Sequence, residues 1–274
     1  MWENLKAKKY AFVGGGIIAG VFIERLLKSG VAGPQDILAS DVRTERLEEL
    51  RRAFHIRVSA ENHDAVRFGD VVFIAVPPPA VKPVLTDAAG VTQNGQLFVS
   101  LAAAVTTQLI EDALGKPLAV LRVIPNTPSL LGAGMNPFCF GRHVAPEQKK
   151  LAIELLSVFG SSFEVHEPQM SAATALTAVG PTYFFPAVKA LMDAAVAHGL
   201  TAQQAQFAAA QTMLGAARMV LETGKDPETL KMMIGTRTLD EAAARSVFTA
   251  ALDSAFAKIS EMEQKLNPVP AHAV

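Results

Sequence analysis

The sequence predicts an α/β protein: a doubly wound, mostly parallel sheet in residues 1–165, then an all-helical domain in residues 166–274. Three observations predict it. Short apolar runs alternate with helix-patterned segments through the first part, as they do in strand–helix–strand units of one parallel sheet. A glycine-rich turn, Gly14-Gly15-Gly16, joins the first strand to the first helix. From Gln169 to Leu266 no stretch reads convincingly as a strand.

The elements come in order. Tyr10–Val13 is a short apolar strand. Ile17–Ser29 has apolar residues at helical spacing and stops at Gly30. Ile37–Ser40 is strand-like, and Thr44–Phe54 is a charged helix with Leu47 and Leu50 on one side. Val71–Val76 is unbroken and apolar, as expected of a strand covered on both faces. Pro77, Pro78 and Pro79 stop it. Leu97–Leu101 and Leu118–Ile124 are further strands around a helix at Thr106–Leu114. Asn136–Phe140, a helix at Glu147–Phe159 and a strand at Phe163–Val165 complete the sheet domain. Beyond it, Pro181–His198, Ala202–Thr223 and Ser246–Leu266 are long helix candidates, and a Pro/Ala tail closes the chain at 268–274.

Composition narrows the function classes. The chain has 274 residues, half of them apolar, and a net charge of −1. A core is easily filled, and bulk charge argues against nucleic acid or an anionic membrane as partner. Lys6, Lys8 and Lys9 before an apolar run imitate a secretion signal, but Glu24 and Arg25 follow at once without an A-x-A-like cleavage site. With a single cysteine, Cys139, and no apolar run near the ~20 residues a membrane helix needs, a cytoplasmic protein is expected. The six histidines form no i,i+4 pair, so no metal is expected. Cys139 lies between two phenylalanines and reads as core.

Gly14-x-Gly16-x-x-Ala19 is the motif that carries chemistry. It follows a strand and opens a helix, as a dinucleotide-binding turn of the Rossmann type requires. Gly14 permits the tight turn, Gly16 allows backbone close to a pyrophosphate, and Ala19 keeps helix and strand close. The helix N-terminus offers free N–H groups to phosphates. Asp41, at the end of the second strand, stands where an acid binds the adenosine ribose hydroxyls of NAD. Arg43 instead suits a 2′-phosphate. The two signals conflict, so the expected cofactor is NAD(P)H without a choice between its forms.

RVIPNTPSLLGAG at 122–134, with GGGIIA, VVFIAVP, SLAAAVT, TALTAVGPTYFF and AAQTMLGAARMVLETG, resembles the pyrroline-5-carboxylate reductases from Tyr10 to about Leu266. The resemblance implies an NAD(P)H-binding first domain and a second domain of dimerisation helices. These would interlock two or more copies, with each active site between one nucleotide domain and the helices of the dimer. It implies reduction of a cyclic imine, 1-pyrroline-5-carboxylate, to L-proline. Carried over by position, Gly14, Gly16, Ile17, Ile18 and Ala19 match the pyrophosphate turn, and Asn62 matches an asparagine near the adenosine. Ala75, Val76 and Pro77 fall beneath the cofactor, and Ala102 and Asn126 on the nicotinamide side. Asn126 also suits a local turn before Pro128.

The departures gather on the substrate side. Thr177-Ala178-Val179-Gly180-Pro181-Thr182-Tyr183 replaces S-G-S-G-P-A-Y, and Lys189 stands where glutamate is common. The S-P-G-G-T-T loop is shorter here and reads Gly235-Thr236-Arg237-Thr238. Paired glycines aim consecutive N–H groups at an anion; with one gone, Arg237 is a candidate to hold a carboxylate. Arg237 also suits a pair with Asp240 or Glu241. Lys189 is a candidate proton donor if buried, and otherwise a solvated helix residue. Thr182, Lys189, Thr236, Arg237 and Thr238 are therefore the substrate-side candidates. Pyrroline-5-carboxylate is the expected substrate; another small carboxylated imine or carbonyl compound, or a dinucleotide-binding homologue without activity, is the alternative.

Overall fold

The computed structural model describes residues 2–267, so the Pro/Ala tail lies outside the described residues. The elements are α1 (Glu3–Lys6), β1 (Tyr10–Val13), α2 (Ile17–Lys28), β2 (Ile37–Ser40), α3 (Thr44–Phe54), β3 (Arg57–Ser59), α4 (Asn62–Phe68), β4 (Val71–Ile74), α5 (Pro78–Ala88), β5 (Leu97–Ser100) and α6 (Thr107–Leu114). Then come β6 (Ala119–Val123), β7 (Gly134–Phe140), α7 (Pro146–Phe159), β8 (Gly160–Glu164), α8 (Met170–Thr177), α9 (Pro181–Ala197), α10 (Ala202–Thr223), α11 (Pro227–Lys231) and α12 (Glu241–Leu266).

The eight strands form one sheet in the order β3-β2-β1-β4-β5-β6-β7-β8. From β3 to β6 all pairs are parallel. β7 turns antiparallel to β6, and β8 runs parallel to β7. Chain order reverses between β1 and β4, which pair through Tyr10↔Val71 to Val13↔Ile74. Crevices of doubly wound sheets open at such a reversal, beyond the carboxyl ends of the strands.

Strand alternation divides the core into two layers. Tyr10 and Phe12 join the layer with α2 and α7, whereas Ala11 and Val13 join the layer with α4, α5 and α6. Phe12 stacks on Phe73 at 4.5 Å and Phe22 on Phe159 at 4.0 Å. Burying each such ring contributes about 1.5–3 kcal/mol, against about 1 kcal/mol net for a hydrogen bond, so packing decides the register.

The structure adds elements that periodicity does not reveal. Pro77-Pro78-Pro79 ends a strand but also starts α5, because Pro78 is the first helical residue, where a missing N–H costs nothing. α4, β3 and α8 are too short to give a pattern. α12 starts at Glu241 rather than Ser246, since the Asp240 carboxylate accepts from the Ala243 N–H at 3.0 Å.

Two compact units result: residues 1–179 with 255–274, and residues 180–254. The last strand ends at Glu164, yet the first unit continues to Val179, because Met170 of α8 packs with Ile124 and Cys139. In the second unit Phe184 meets Phe248 at 6.4 Å, and among the described residues only Ala205 and Leu230 have buried side chains there. No helix among the described residues is long and apolar enough to cross a membrane.

A buried guanidinium fastens the end of α12 to the sheet. Arg122 of β6 is fully buried. Its Nη1 donates to Glu167 and, at 2.8 Å, to Glu263 of α12. Nε and Nη2 are buried without a protein partner. Removing one member of a buried pair strands the others, at about 3–5 kcal/mol. Arg122→Ala is therefore expected to lower unfolding stability by about that amount, read as a fall in the urea midpoint at unchanged slope.

Candidate functional site

At the sheet's reversal, three backbone segments meet. Gly14 donates its N–H to Ser40 O at 2.9 Å and has φ +96°. A Cβ there would lie 2.7 Å from Ala75 O. Position 14 thus excludes side chains on two grounds, conformation and space. Gly16 is the N-cap of α2, and a Cβ there would meet nothing within 4 Å, so its face is open. No side chain caps this helix. The unpaired N–H groups of its first turn and its dipole face the opening.

Two side chains from the β2–α3 region hold the turn. Asp41 Oδ2 accepts from the Gly15 N–H at 2.9 Å. Arg46 of α3 donates from Nε to Gly15 O at 2.5 Å and from Nη2 to Gly16 O at 3.3 Å. Asp41 is 7% exposed and also receives Arg43 N–H, Nε and Nη2, each at 2.9 Å. The Arg43 side-chain bonds, together with the Arg43 and Gly15 N–H groups, hold its carboxyl at about 2 against the upward push of desolvation.

The turn opens into a cavity of about 690 Å³, within the range of small-molecule and cofactor sites. Gly14, Gly16, Ile17, Ile18, Asp41, Arg43, Asn62, Ala75, Val76, Pro77 and Ala102 all line it, so one wall gathers these sequence candidates. Val42, Pro78 and Leu101, among others, complete the lining. Ala19 is fully buried beneath the turn and acts through packing. Asn126 is absent from the wall. Its Nδ2 donates to Thr177 O at 3.1 Å and its Oδ1 accepts from Met135 N at 3.0 Å, so it ties the end of α8 to the start of β7. Asn62 Oδ1 accepts from Ser40 Oγ at 2.8 Å.

Gly15, Arg46 and Asn267 support the turn and the loop after β5, and none was among the sequence candidates. Asn267 donates to Ala104 O at 2.8 Å and accepts from Thr106. It pins the loop after β5, where Ala104 takes φ +63° without being glycine. In sequence Arg46 is one charge among several on a solvated helix, and nothing sets it apart.

The helical unit has a cavity of its own, about 580 Å³, lined by Thr236, Arg237 and Thr238 with Lys231, Glu241 and Arg245. Lys231 Nζ binds Glu228 at 2.6 Å and Glu241 at 2.7 Å, one cation shared between two acids. Arg237 pairs with neither Asp240 nor Glu241; its Nη1 lies 3.1 Å from Met232 Sδ. Thr182 is in the first turn of α9. Lys189 holds both oxygens of Asp193 at 2.5 and 2.6 Å, with its side chain 67% exposed. That is a solvated i,i+4 helix pair. Cys139 is buried, and its thiol is pushed up by desolvation first and by Glu167 second, so it is inert as a nucleophile. No cluster of three metal-ligating side chains occurs among the described residues.

The Asp41 clamp makes folding pH-dependent. Its carboxyl titrates lower in the fold than in the unfolded chain, so its contribution is present above about pH 4 and disappears as pH falls towards about 2. Asp41→Asn is expected to destabilise by about 2 kcal/mol at pH 7. Denaturant melts should show that gap closing between about pH 4 and pH 2.

Comparison with known proteins agrees with this geometry. Residues 9–104 match the family described as NADP oxidoreductase coenzyme F420-dependent, and residues 167–262 match pyrroline-5-carboxylate reductase dimerisation. The chain is 34% identical over 270 residues to the pyrroline-5-carboxylate reductase of Methanosarcina acetivorans, covering 95% of this chain and 100% of that protein. It is 32% identical over 269 residues to that of Escherichia coli, covering 95% and 98%. The solved pyrroline-5-carboxylate reductase of Coxiella burnetii superimposes with TM-score 0.79 at 31% identity, covering 93% and 98%. The fold is shared with the Plasmodium falciparum enzyme solved with NADP bound, at TM-score 0.84 and 21% identity, covering 94% and 99%. A glycine turn open to phosphates and a similarity that runs the length of both chains lead to one conclusion: this chain belongs to the pyrroline-5-carboxylate reductase family.

Proposed function

We propose that this chain reduces 1-pyrroline-5-carboxylate to L-proline with NAD(P)H, the reductive step of proline synthesis. The observation that carries the reading is the full-length match to reductases of that name, joined to a cleft that fits the cofactor. The bound dinucleotide supplies a hydride.

The chain's own residues bind, orient and exclude water. Gly14 and Gly16 bring backbone close to the pyrophosphate, and the N–H groups of Ile17 and Ile18 face its charge. Ala75, Val76, Pro77 and Ala102 give walls without charge, which keep water from the reacting face. In the helical unit, Thr236, Arg237 and Thr238 offer two hydroxyls and a guanidinium to a carboxylate. Arg237 takes part in neither of the ion pairs that Glu228 and Glu241 make with Lys231, so those contacts do not occupy its donors. Thr182, at a helix start, is a second polar contact for the substrate. Lys189 is assigned to the solvated face.

The assembly is proposed to be a homodimer or a higher homo-oligomer through the C-terminal helices. In residues 180–254 large apolar side chains stay exposed: Phe185 at 65%, Phe207 at 72% and Leu214 at 53%. A unit with so little buried surface does not stand alone. A second copy of the same helices covers such a surface. The proposed location is the cytoplasm.

Purified protein given pyrroline-5-carboxylate and either NADPH or NADH is expected to consume the cofactor, followed at 340 nm. No turnover with either form refutes the assignment. Arg237→Ala is expected to raise KM for pyrroline-5-carboxylate by about tenfold or more, with a smaller change in kcat, since it removes a charged contact worth about 1.5–3 kcal/mol. Light scattering is expected to return at least twice the 29.1 kDa of one chain. Phe207→Glu with Leu214→Glu should lower that mass.

A further inference from the structure

We infer that this chain prefers the 2′-phosphorylated dinucleotide, and that Arg43 is the residue that decides it, because the Asp41 carboxylate is already occupied. The inference rests on the reading of the 690 Å³ cleft as a dinucleotide site.

An acid at the end of the second strand selects NAD in two ways. It accepts hydrogen bonds from the ribose hydroxyls, and its charge repels a 2′-phosphate. Both need a carboxylate with unfilled acceptor positions and an unbalanced charge. An ionised carboxylate has about four acceptor positions. In Asp41 Oδ1 takes Arg43 N–H and Nε, and Oδ2 takes Gly15 N–H and Arg43 Nη2, all at 2.9 Å. No acceptor position is left for a ribose diol. The charge is matched by the same guanidinium. Asp41 therefore serves as a brace between the glycine turn and Arg43, not as a ribose acceptor.

Arg43 has the opposite character. A guanidinium carries five N–H donors; Asp41 takes one at Nε and one at Nη2. Both hydrogens of Nη1 and the second of Nη2 remain. The side chain is 60% exposed and lines the cleft, as Val42 and Asn62 also do. Held by two parallel bonds to a 7% exposed carboxylate, the fork is pre-oriented, so little rotamer freedom remains to be lost when a phosphate arrives. The other nearby cation, Arg46, is engaged with Gly15 O, Gly16 O and Glu49. The unfilled guanidinium donors at this end of the cleft thus belong to Arg43. Asp41 and Arg43 form one device: while the clamp is closed the carboxylate charge is matched and the remaining Arg43 N–H donors are presented to the cleft, and when Arg43 is removed the carboxylate is released to accept the ribose hydroxyls.

The test separates nucleotide recognition from the reaction. Calorimetric titration of the wild-type protein with 2′,5′-ADP and with 5′-AMP needs no substrate. The 2′-phosphorylated ligand is expected to bind on the order of 10- to 100-fold more tightly, the range of a charged hydrogen bond. Arg43→Ala is expected to abolish that ratio by weakening 2′,5′-ADP while 5′-AMP holds or tightens. The ratio of KM for NADH to KM for NADPH should move in the same direction. Equal binding of the two ligands by the wild type, or an unchanged ratio in a folded Arg43→Ala protein, overturns the inference and leaves the dinucleotide reading intact. Binding of neither ligand overturns both. The wild-type comparison decides even where Arg43→Ala fails to fold.

Discussion

The close approach of Gly14 to the Ala75 carbonyl is the constraint on which the site depends. It places the end of β1 against the end of β4, at the reversal of strand order, with room for hydrogen only. From that contact the chain turns into α2 with the helix N-terminus open. A side chain at position 14 would push the turn off the sheet and close the space that the helix dipole serves. A sheet of this order then brings the segments just beyond β4 and β5 to the same edge, where Ala75 to Pro77 and Ala102 form the cleft walls.

Around that contact, polar groups hold rather than react. Asp41 and Arg46 reach the turn from the end of β2 and from α3, and Asn126 ties α8 to β7. Asn267, from the far end of the chain, steadies the strained loop at Ala104. Arg122 binds the last helix to β6 through Glu263. The returning end of α12 thus belongs to the unit that carries the cleft. Asn267, just beyond α12, ties that helix to the loop after β5 through Ala104 and Thr106.

Much was legible in the sequence. Period-two and unbroken apolar runs identify β1, β4, β5 and β6, since a strand buried on both faces admits little else. The turn from Gly14 to Ala19 is legible in shape because each position carries a local requirement: a turn, an open face, a close packing. Short elements such as β3 and α4 are hidden, because three strand residues or about two helical turns leave too little periodicity. Pro78 misleads for another reason: one residue type both ends strands and begins helices.

By itself, then, the sequence determined the layer architecture, the position of the phosphate turn and the family, because these rest on patterns local to a few neighbouring residues. Only the tertiary structure decided what the polar side chains do. Asp41 and Arg43 read as rivals for a ribose in sequence and prove to be partners in one clamp. Asn126 turns away from the cleft, Lys189 stays on a solvated face, and Arg237 keeps clear of its neighbouring acids. A side chain's role is set by which donors and acceptors reach it first. Those arrive from residues far along the chain, so no local pattern records them.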